Sequence, residues 1–156
     1  MDVVRRSRRL ALAPALLLGC ASAPSAADDV ASIRARLAAL EAADAAGDVD
    51  AIAACYDEDA KLLPPAGGEV RGREAIRAHY AALLAHASLE VAIRSDALHV
   101  AAPWAFDRGT TRVVVTPRDG SEPRRERDRY FMILYRGDDG VWRVSRLIWS
   151  PQADAP

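Results

Sequence analysis

The sequence has few cysteines, few aromatic residues and no excess of basic charge. Cysteine occurs only at Cys20 and Cys55, so no set of disulfides can stabilise the fold. Lysine and arginine number 21 against 22 aspartates and glutamates, which gives a formal net charge of −1. This balance supplies no basic surface for nucleic acid, so we expect no nucleic-acid partner.

Long apolar runs are also missing, although 51% of the 156 residues are apolar. That share suits one core in one domain with a short extension, and excludes a polytopic membrane protein. The apolar run from Leu10 to Leu18 is too short to span a membrane as a stable helix.

The first 20 residues have the organisation of a signal peptide: four arginines between positions 5 and 9, then the run Leu10–Leu18. The run ends in "LLGC", which resembles a bacterial lipoprotein signal with Cys20 as the lipidated first residue of the mature chain. Ordinary cleavage after "SAA" (Ser25–Ala27) is the alternative. We predict a signal peptide over 1–20, a tether over 21–28 and a domain over 29–151. The protein would then be exported to a bacterial cell envelope and touch the membrane only through a lipid anchor.

The rest of the chain changes from a helical to an alternating pattern after Ser88. A first helix is predicted from Asp28 to Ala46, capped by Asp28 or Asp29 and ended by Gly47. "DVDAIAACY" predicts a second helix with Asp48 as its cap, and "RGREAIRAHYAALLAHA" a third. Four strands follow in "LEVAIRSDALHVAA", "WAFDRGTTRVVVTP", "RRERDRYFMILYR" and "VWRVSRLIWS". Helices followed by a strand meander predict an α+β fold.

The stretch "YDEDAKLLPP" joins an aromatic residue to three acids. We interpret Asp59 as a cap of the turn that ends the second helix, with Asp57 and Glu58 in solvent. No histidine stands near these acids at a spacing that would hold a metal, so neither a metal nor a cofactor is expected.

Several residues resemble the nuclear transport factor 2-like superfamily, which includes SnoaL-like polyketide cyclases, ketosteroid isomerases and many small bacterial proteins of unknown function. The resemblance covers about residues 30–150. It rests on Gly47-Asp48, Ala51-Ile52, Tyr56, Asp59-Ala60, Pro65, Gly72-Arg73, Ile76, the "DRG" of Asp107–Gly109, and "RYFMILYRGDDGVWRVSRLIWS" with Trp149. It implies a cone, the cystatin-like shape, in which a strongly curved antiparallel sheet wraps the N-terminal helices. It also implies an apolar pocket at the open end and a homodimer through the outer face of the sheet.

The ketosteroid isomerases carry three polar catalytic groups whose positions are apolar in this sequence. By the resemblance, the general base falls on Pro64, the oxyanion-hole tyrosine on Leu40, and the oxyanion-hole acid at or near Met132. Because none of these side chains can move or share a proton, we expect the ketosteroid isomerase mechanism to be absent.

Strand alternation selects the residues that would face such a pocket. Asp128, Tyr130, Met132 and Leu134 share one face of their strand. Residues predicted to contact a ligand are Tyr56, Trp104, Met132 and Trp149. A catalytic set of His79, Asp128 and Tyr130, in which Asp128 and His79 form a dyad beside the tyrosine hydroxyl, is also predicted.

Three functions therefore remain open. The favoured one is a module that binds a small hydrophobic or aromatic molecule in an apolar cavity. The second is a cofactor-free isomerase, cyclase or hydratase that uses His79, Asp128 and Tyr130. The third is a dimerisation or protein-interaction module without a ligand, supported by the outer-face candidates Phe131, Ile133 and Ile148.

Overall fold

A computed structural model describes residues 25–152 as three helices and a six-stranded sheet. The predicted signal peptide and its Cys20 lie outside the described residues. The elements in chain order are α1 (Ala26–Ala46), α2 (Val49–Ala54), β1 (Tyr56–Leu63), β2 (Val70–Arg71), α3 (Arg73–His86), β3 (Ala87–Ala101), β4 (Trp104–Pro117), β5 (Arg124–Arg136) and β6 (Trp142–Pro151). No helix within 25–152 is long and apolar enough to cross a membrane.

Helix α1 begins earlier than the sequence pattern suggested, inside the segment predicted as a tether. Its N-cap is Ser25, whose hydroxyl accepts from the backbone N–H of Asp28 while the Asp28 carboxylate accepts from the Ser25 N–H. This reciprocal capping box holds the first turn, so the prediction of Asp28 or Asp29 as the cap was wrong. The predicted end is confirmed, because Gly47 takes up the left-handed conformation with φ of 65°.

The acidic stretch that was assigned to the end of the second helix lies instead in a strand. Helix α2 is capped by Asp48, as predicted, but ends at Ala54. Tyr56 is the first residue of β1, so Asp57, Glu58 and Asp59 are strand residues. Pairing with β6, in which Tyr56 stands opposite Val144, supplies hydrogen bonds that the helical pattern of the sequence could not reveal.

The sheet has the strand order β2-β1-β6-β5-β4-β3. Strands β3 to β6 form the expected antiparallel meander, whereas β1 pairs with β6 in parallel, so the sheet is mixed. A register shift between Ser95 and Ala97 interrupts the pairing of β3 with β4. Such a bulge bends its strand. Before this one, odd-numbered residues such as Ile93 pack against the core, and after it even-numbered residues such as Leu98 do.

Gly109 explains how two backbones approach closely at this bulge. It stands opposite Ser95, and a Cβ atom at Gly109 would collide with the backbone carbonyl oxygen of Arg94. Any larger residue would therefore force the strands apart, which gives a physical reason for the glycine of the "DRG" motif.

The helices cover one face of the sheet, and the core lies between them. Helix α1 packs on β3 and β6, and its buried stripe includes Ile33, Leu37 and Leu40. The predicted alternation in β5 is confirmed, since its even-numbered residues from Asp128 to Leu134 are buried. We call this the inner face.

The opposite, outer face carries exposed large apolar side chains on three adjacent strands. They are Trp104, Phe106, Phe131 and Ile148. The rings of Phe106 and Phe131 lie 6.4 Å apart between centroids. We call these four residues the outer apolar patch.

Candidate functional site

A cavity of about 230 Å³ opens between the inner face of the sheet and helices α1 and α3. Most of its wall is apolar, from Leu40 and Leu83 on the helices and from Leu89, Val91, Ile93, Val113, Val115, Met132 and Leu147 on the strands. Polar groups reach it from Asp44, Tyr56, His79, Tyr80, Thr111, Arg124, Glu126, Asp128, Tyr130 and Trp149. A wall of mainly apolar and aromatic surface that also presents polar groups is the common composition of a small-molecule site.

All but one of the residues predicted to contact a ligand or act on it line this cavity. Tyr56, Met132 and Trp149 do, as do the three residues of the proposed catalytic set. Trp104 does not: it is 42% exposed in the outer apolar patch, so its assignment to the cavity was wrong. Side chains an odd number of positions apart on a strand point to opposite faces of the sheet. Because Asp107 is buried and Trp104 precedes it by an odd number of positions, Trp104 points to the outer face.

The predicted His79–Asp128 dyad is not formed. No hydrogen bond joins these two side chains within the described part of the chain, and Asp128 accepts instead from the Thr111 hydroxyl at 3.5 Å. The imidazole of His79 is exposed and packs edge-on against the ring of Tyr80. The two residues thus face one cavity without the contact that a base and its orienting acid require.

Tyr130, the third member of that set, belongs to a buried polar cluster behind the cavity wall. Its hydroxyl donates to Asp107 Oδ2 at 2.7 Å, and the hydroxyl of Ser95 donates to the other carboxylate oxygen. Asp107 is fully buried. Burial, followed by the hydrogen bond to Asp107, raises the pKa of Tyr130, so the phenol stays protonated and acts as a donor. In the sequence, Asp107 stands out only as part of the "DRG" motif.

Asp44, near the C-terminal end of α1, is the most unusual polar group of the cavity and was not predicted. It is 3% exposed, and its Oδ1 has no hydrogen-bond partner among residues 25–152. Burial, and then the neighbouring charge of Glu41, raises its pKa from 3.8 to about 7. A signal did exist, because Asp44 follows Ile33, Leu37 and Leu40 at helical spacing on one stripe.

Two tyrosines lie beside Asp44. The hydroxyls of Tyr56 and Tyr80 are 3.1 Å apart and share a hydrogen bond. Burial raises the pKa of both phenols, and the charge of Asp44 raises it further. Both therefore remain neutral near Asp44 and present aromatic surface to the cavity.

The carboxylates at the other side of the cavity are on β5. Glu126 pairs with Arg124 at 3.6 Å, and both side chains are exposed at the rim. Asp128 is buried and has no ion pair among the described residues; burial, and then Glu126, raises its pKa. With the rim pair neutralised, two acids and the single imidazole of His79 determine the charge of the cavity.

The sequence model of the SnoaL-like domain matches residues 33–144, which include all of the cavity wall except Leu147 and Trp149. The chain belongs to the SnoaL-like domain family. Among curated proteins, none matches it significantly. Within 25–152, no cluster of three His, Cys, Asp or Glu side chains is arranged to hold a metal ion.

Solved structures share the fold at low sequence identity. A conserved protein from Planctomyces limnophilus superposes with a TM-score of 0.74 at 21% identity, covering 81% of this chain and 99% of its own. A ketosteroid isomerase-like protein from Erwinia carotovora gives 0.71 at 22%, covering 83% and 98%. A nuclear transport factor 2-like superfamily protein from Salmonella enterica serovar Typhimurium gives 0.73 at 14%, covering 85% and 96%. At these identities the likeness establishes the α+β fold alone.

This SnoaL-like chain differs from the ketosteroid isomerase pattern in the wall of its cavity. Leu40 and Met132 line the cavity as apolar residues, and Pro64 follows the end of β1 outside it. The polar groups that the cavity does contain, Asp44 above all, stand at other positions. The expected absence of the ketosteroid isomerase mechanism stays a prediction.

Proposed function

We propose that this SnoaL-like protein binds a small, predominantly apolar or aromatic molecule in the cavity. The observation that carries the proposal is the cavity itself, about 230 Å³ in volume, with a wall of mainly apolar and aromatic surface. Burying apolar ligand surface there would provide most of the affinity, at about 25 cal/mol for each Å² removed from water. An open cavity favours ligand binding over a module that acts only through its surface.

Binding of 2-phenylethanol, a neutral aromatic probe, tests this proposal. In two-dimensional NMR, the probe should shift the amide signals of cavity residues. Val113→Phe would fill the cavity from β4 and weaken binding, whereas Val114→Phe makes the same change on the outer face of the same strand. Unchanged spectra, or equal effects of the two variants, would refute binding in this cavity.

A second candidate is a cofactor-free enzyme of the isomerase, cyclase or hydratase type. Asp44 favours it, because a carboxyl with a pKa of about 7 is suited to accept and return a proton at neutral pH. Asp44 is buried in the cavity wall, whereas His79 and Asp128 lack the mutual contact that a base and its orienting acid require. The test is exchange of the α-protons of 4-phenyl-2-butanone in D₂O. Exchange that Asp44→Asn abolishes supports the enzyme, and a rate equal to that of buffer refutes it for carbon acids of this kind.

We further propose that the protein is exported and anchored to the membrane by a lipid at Cys20.

We also propose a homodimer that forms through the outer apolar patch. Exposed apolar area of this kind is usually covered by a partner. Sedimentation should report a dimer that Phe131→Glu dissociates. A monomer at all concentrations would exclude the dimer.

A further inference from the structure

The further inference concerns the chemistry of the ligand and rests on the proposed function. We infer that the cavity selects a molecule with a protonated amine on an apolar or aromatic body, and that Asp44 binds the amine. The motivating observation is the buried carboxyl of Asp44, which lines the cavity and whose Oδ1 lacks any donor within the described chain.

The chain provides no partner for Asp44 Oδ1 among the described residues. The Tyr56 and Tyr80 hydroxyls bond to each other, and Cys55 is buried beside them. On the same helix, the guanidinium of Arg36 donates instead to the Trp142 carbonyl at 3.0 Å and contacts the Cys55 sulfur at 3.8 Å. A buried carboxylate without a cation or donor is costly, so a group supplied by the ligand would relieve that cost.

An amine fits this environment better than the other donor groups. An ammonium group offers three N–H donors and a positive charge, whereas an alcohol offers one donor and no charge. Tyr56, Tyr80, Tyr130 and Trp149 all line the cavity, and aromatic faces attract cations. A ligand carboxylate or phosphate would instead be repelled by Asp44 and Asp128.

Two probes of nearly equal shape test the inference: 2-phenylethylamine and 2-phenylethanol, measured by NMR titration at pH 8 in the full mature protein. The wild type should bind the amine about 10- to 100-fold more tightly, which is the range for a hydrogen bond to a charged group. Asp44→Asn should remove the preference and keep the affinity for the alcohol, which also shows that the variant is folded. Asp138→Asn, the same change at an exposed turn residue, should leave both affinities unaltered.

The outcomes separate this inference from the proposed function. Equal affinities of the wild type for the two probes would overturn the amine preference while leaving ligand binding intact. A preference that survives Asp44→Asn and disappears in Asp128→Asn would overturn the assignment to Asp44. If neither probe binds, both the inference and the proposed function fail.

Discussion

Replacing Asp44 with asparagine should change how the stability of the protein depends on pH. The Asp44 carboxyl has a pKa of about 7 in the fold and 3.8 in an ordinary environment, because burial and Glu41 disfavour the charge. Between these pH values the native state holds a proton that the unfolded state has lost, so the free energy of unfolding falls as pH rises. The stabilising contribution is complete below pH 3.8 and is lost as pH rises through about 7.

The size of the effect follows from the same two values. Each unit of pKa difference corresponds to about 1.4 kcal/mol, so ionising Asp44 in the fold costs about 4 kcal/mol in total. About 3 kcal/mol of that loss falls between pH 5 and pH 8. The asparagine of the variant bears no charge, so its burial cost is the same at every pH.

Urea unfolding of the wild type and Asp44→Asn at pH 5, 6, 7 and 8 measures this quantity. The free energy of unfolding of the variant minus that of the wild type should grow with pH by about 3 kcal/mol. Taking the difference cancels the contributions of the other titrating groups to the pH dependence. These groups include Asp128, whose pKa is raised by burial, and the exposed Asp139, whose pKa is lowered to about 2 chiefly by its hydrogen bond from Arg143. Asp138→Asn serves as the control and should give a flat difference.

A flat difference for Asp44→Asn as well, within about 0.5 kcal/mol, would refute the reasoning. It would mean that the carboxylate is solvated or paired in solution, and that Asp44 is not the unsatisfied group on which the amine inference depends. Glu41, Cys55, Tyr56 and Tyr80 are the titratable neighbours. Burial raises the pKa of the thiol and of both phenols, which therefore stay neutral over this pH range.

Three further changes test other parts of the structure. Tyr130→Phe removes the donor to buried Asp107 and should destabilise the fold by about 1–3 kcal/mol in urea unfolding, whereas a loss below about 0.5 kcal/mol would contradict the buried hydrogen bond. Gly109→Ala should cost about 2 kcal/mol or more, because its Cβ meets the Arg94 carbonyl; unaltered thermal unfolding would exclude the close approach. Cys20→Ser should move the protein from the membrane fraction to the soluble fraction of bacterial cells, and an unchanged distribution would refute the lipid anchor.

The sequence was sufficient to predict the parts of the fold that follow from local periodicity. The four strands of the meander and the face of β5 that bears Tyr130 and Met132 follow from strict alternation. The start of strand β1 at Tyr56 was misplaced, because Tyr56 continues the helical spacing of Ile52 and the competing pairing with β6 is distant in sequence. Trp104 was misplaced because alternation fixes which residues share a face but not which face is buried.

The candidate site was harder to predict, because its character depends on contacts between distant segments. Asp29 and Asp44 lie at the two ends of one buried stripe of α1, so local spacing treats them alike. Asp29 Oδ1 accepts from the guanidinium of Arg136 at 2.7 Å and from the indole N–H of Trp142 at 3.0 Å, across more than 100 residues of sequence. Only these distant donors make Asp29 a satisfied structural acid.

The contrast between these two acids gives the amine inference its physical basis. The fold supplies a cation and an indole donor to one buried carboxylate of α1, and nothing comparable, among the described residues, to Oδ1 of the other. Since Asp44 lines the cavity and Asp29 does not, the carboxyl with an unsatisfied oxygen belongs to the wall that a ligand would contact. An unpaired buried acid costs stability, and a cost incurred in this cavity is understandable if a bound cation recovers it.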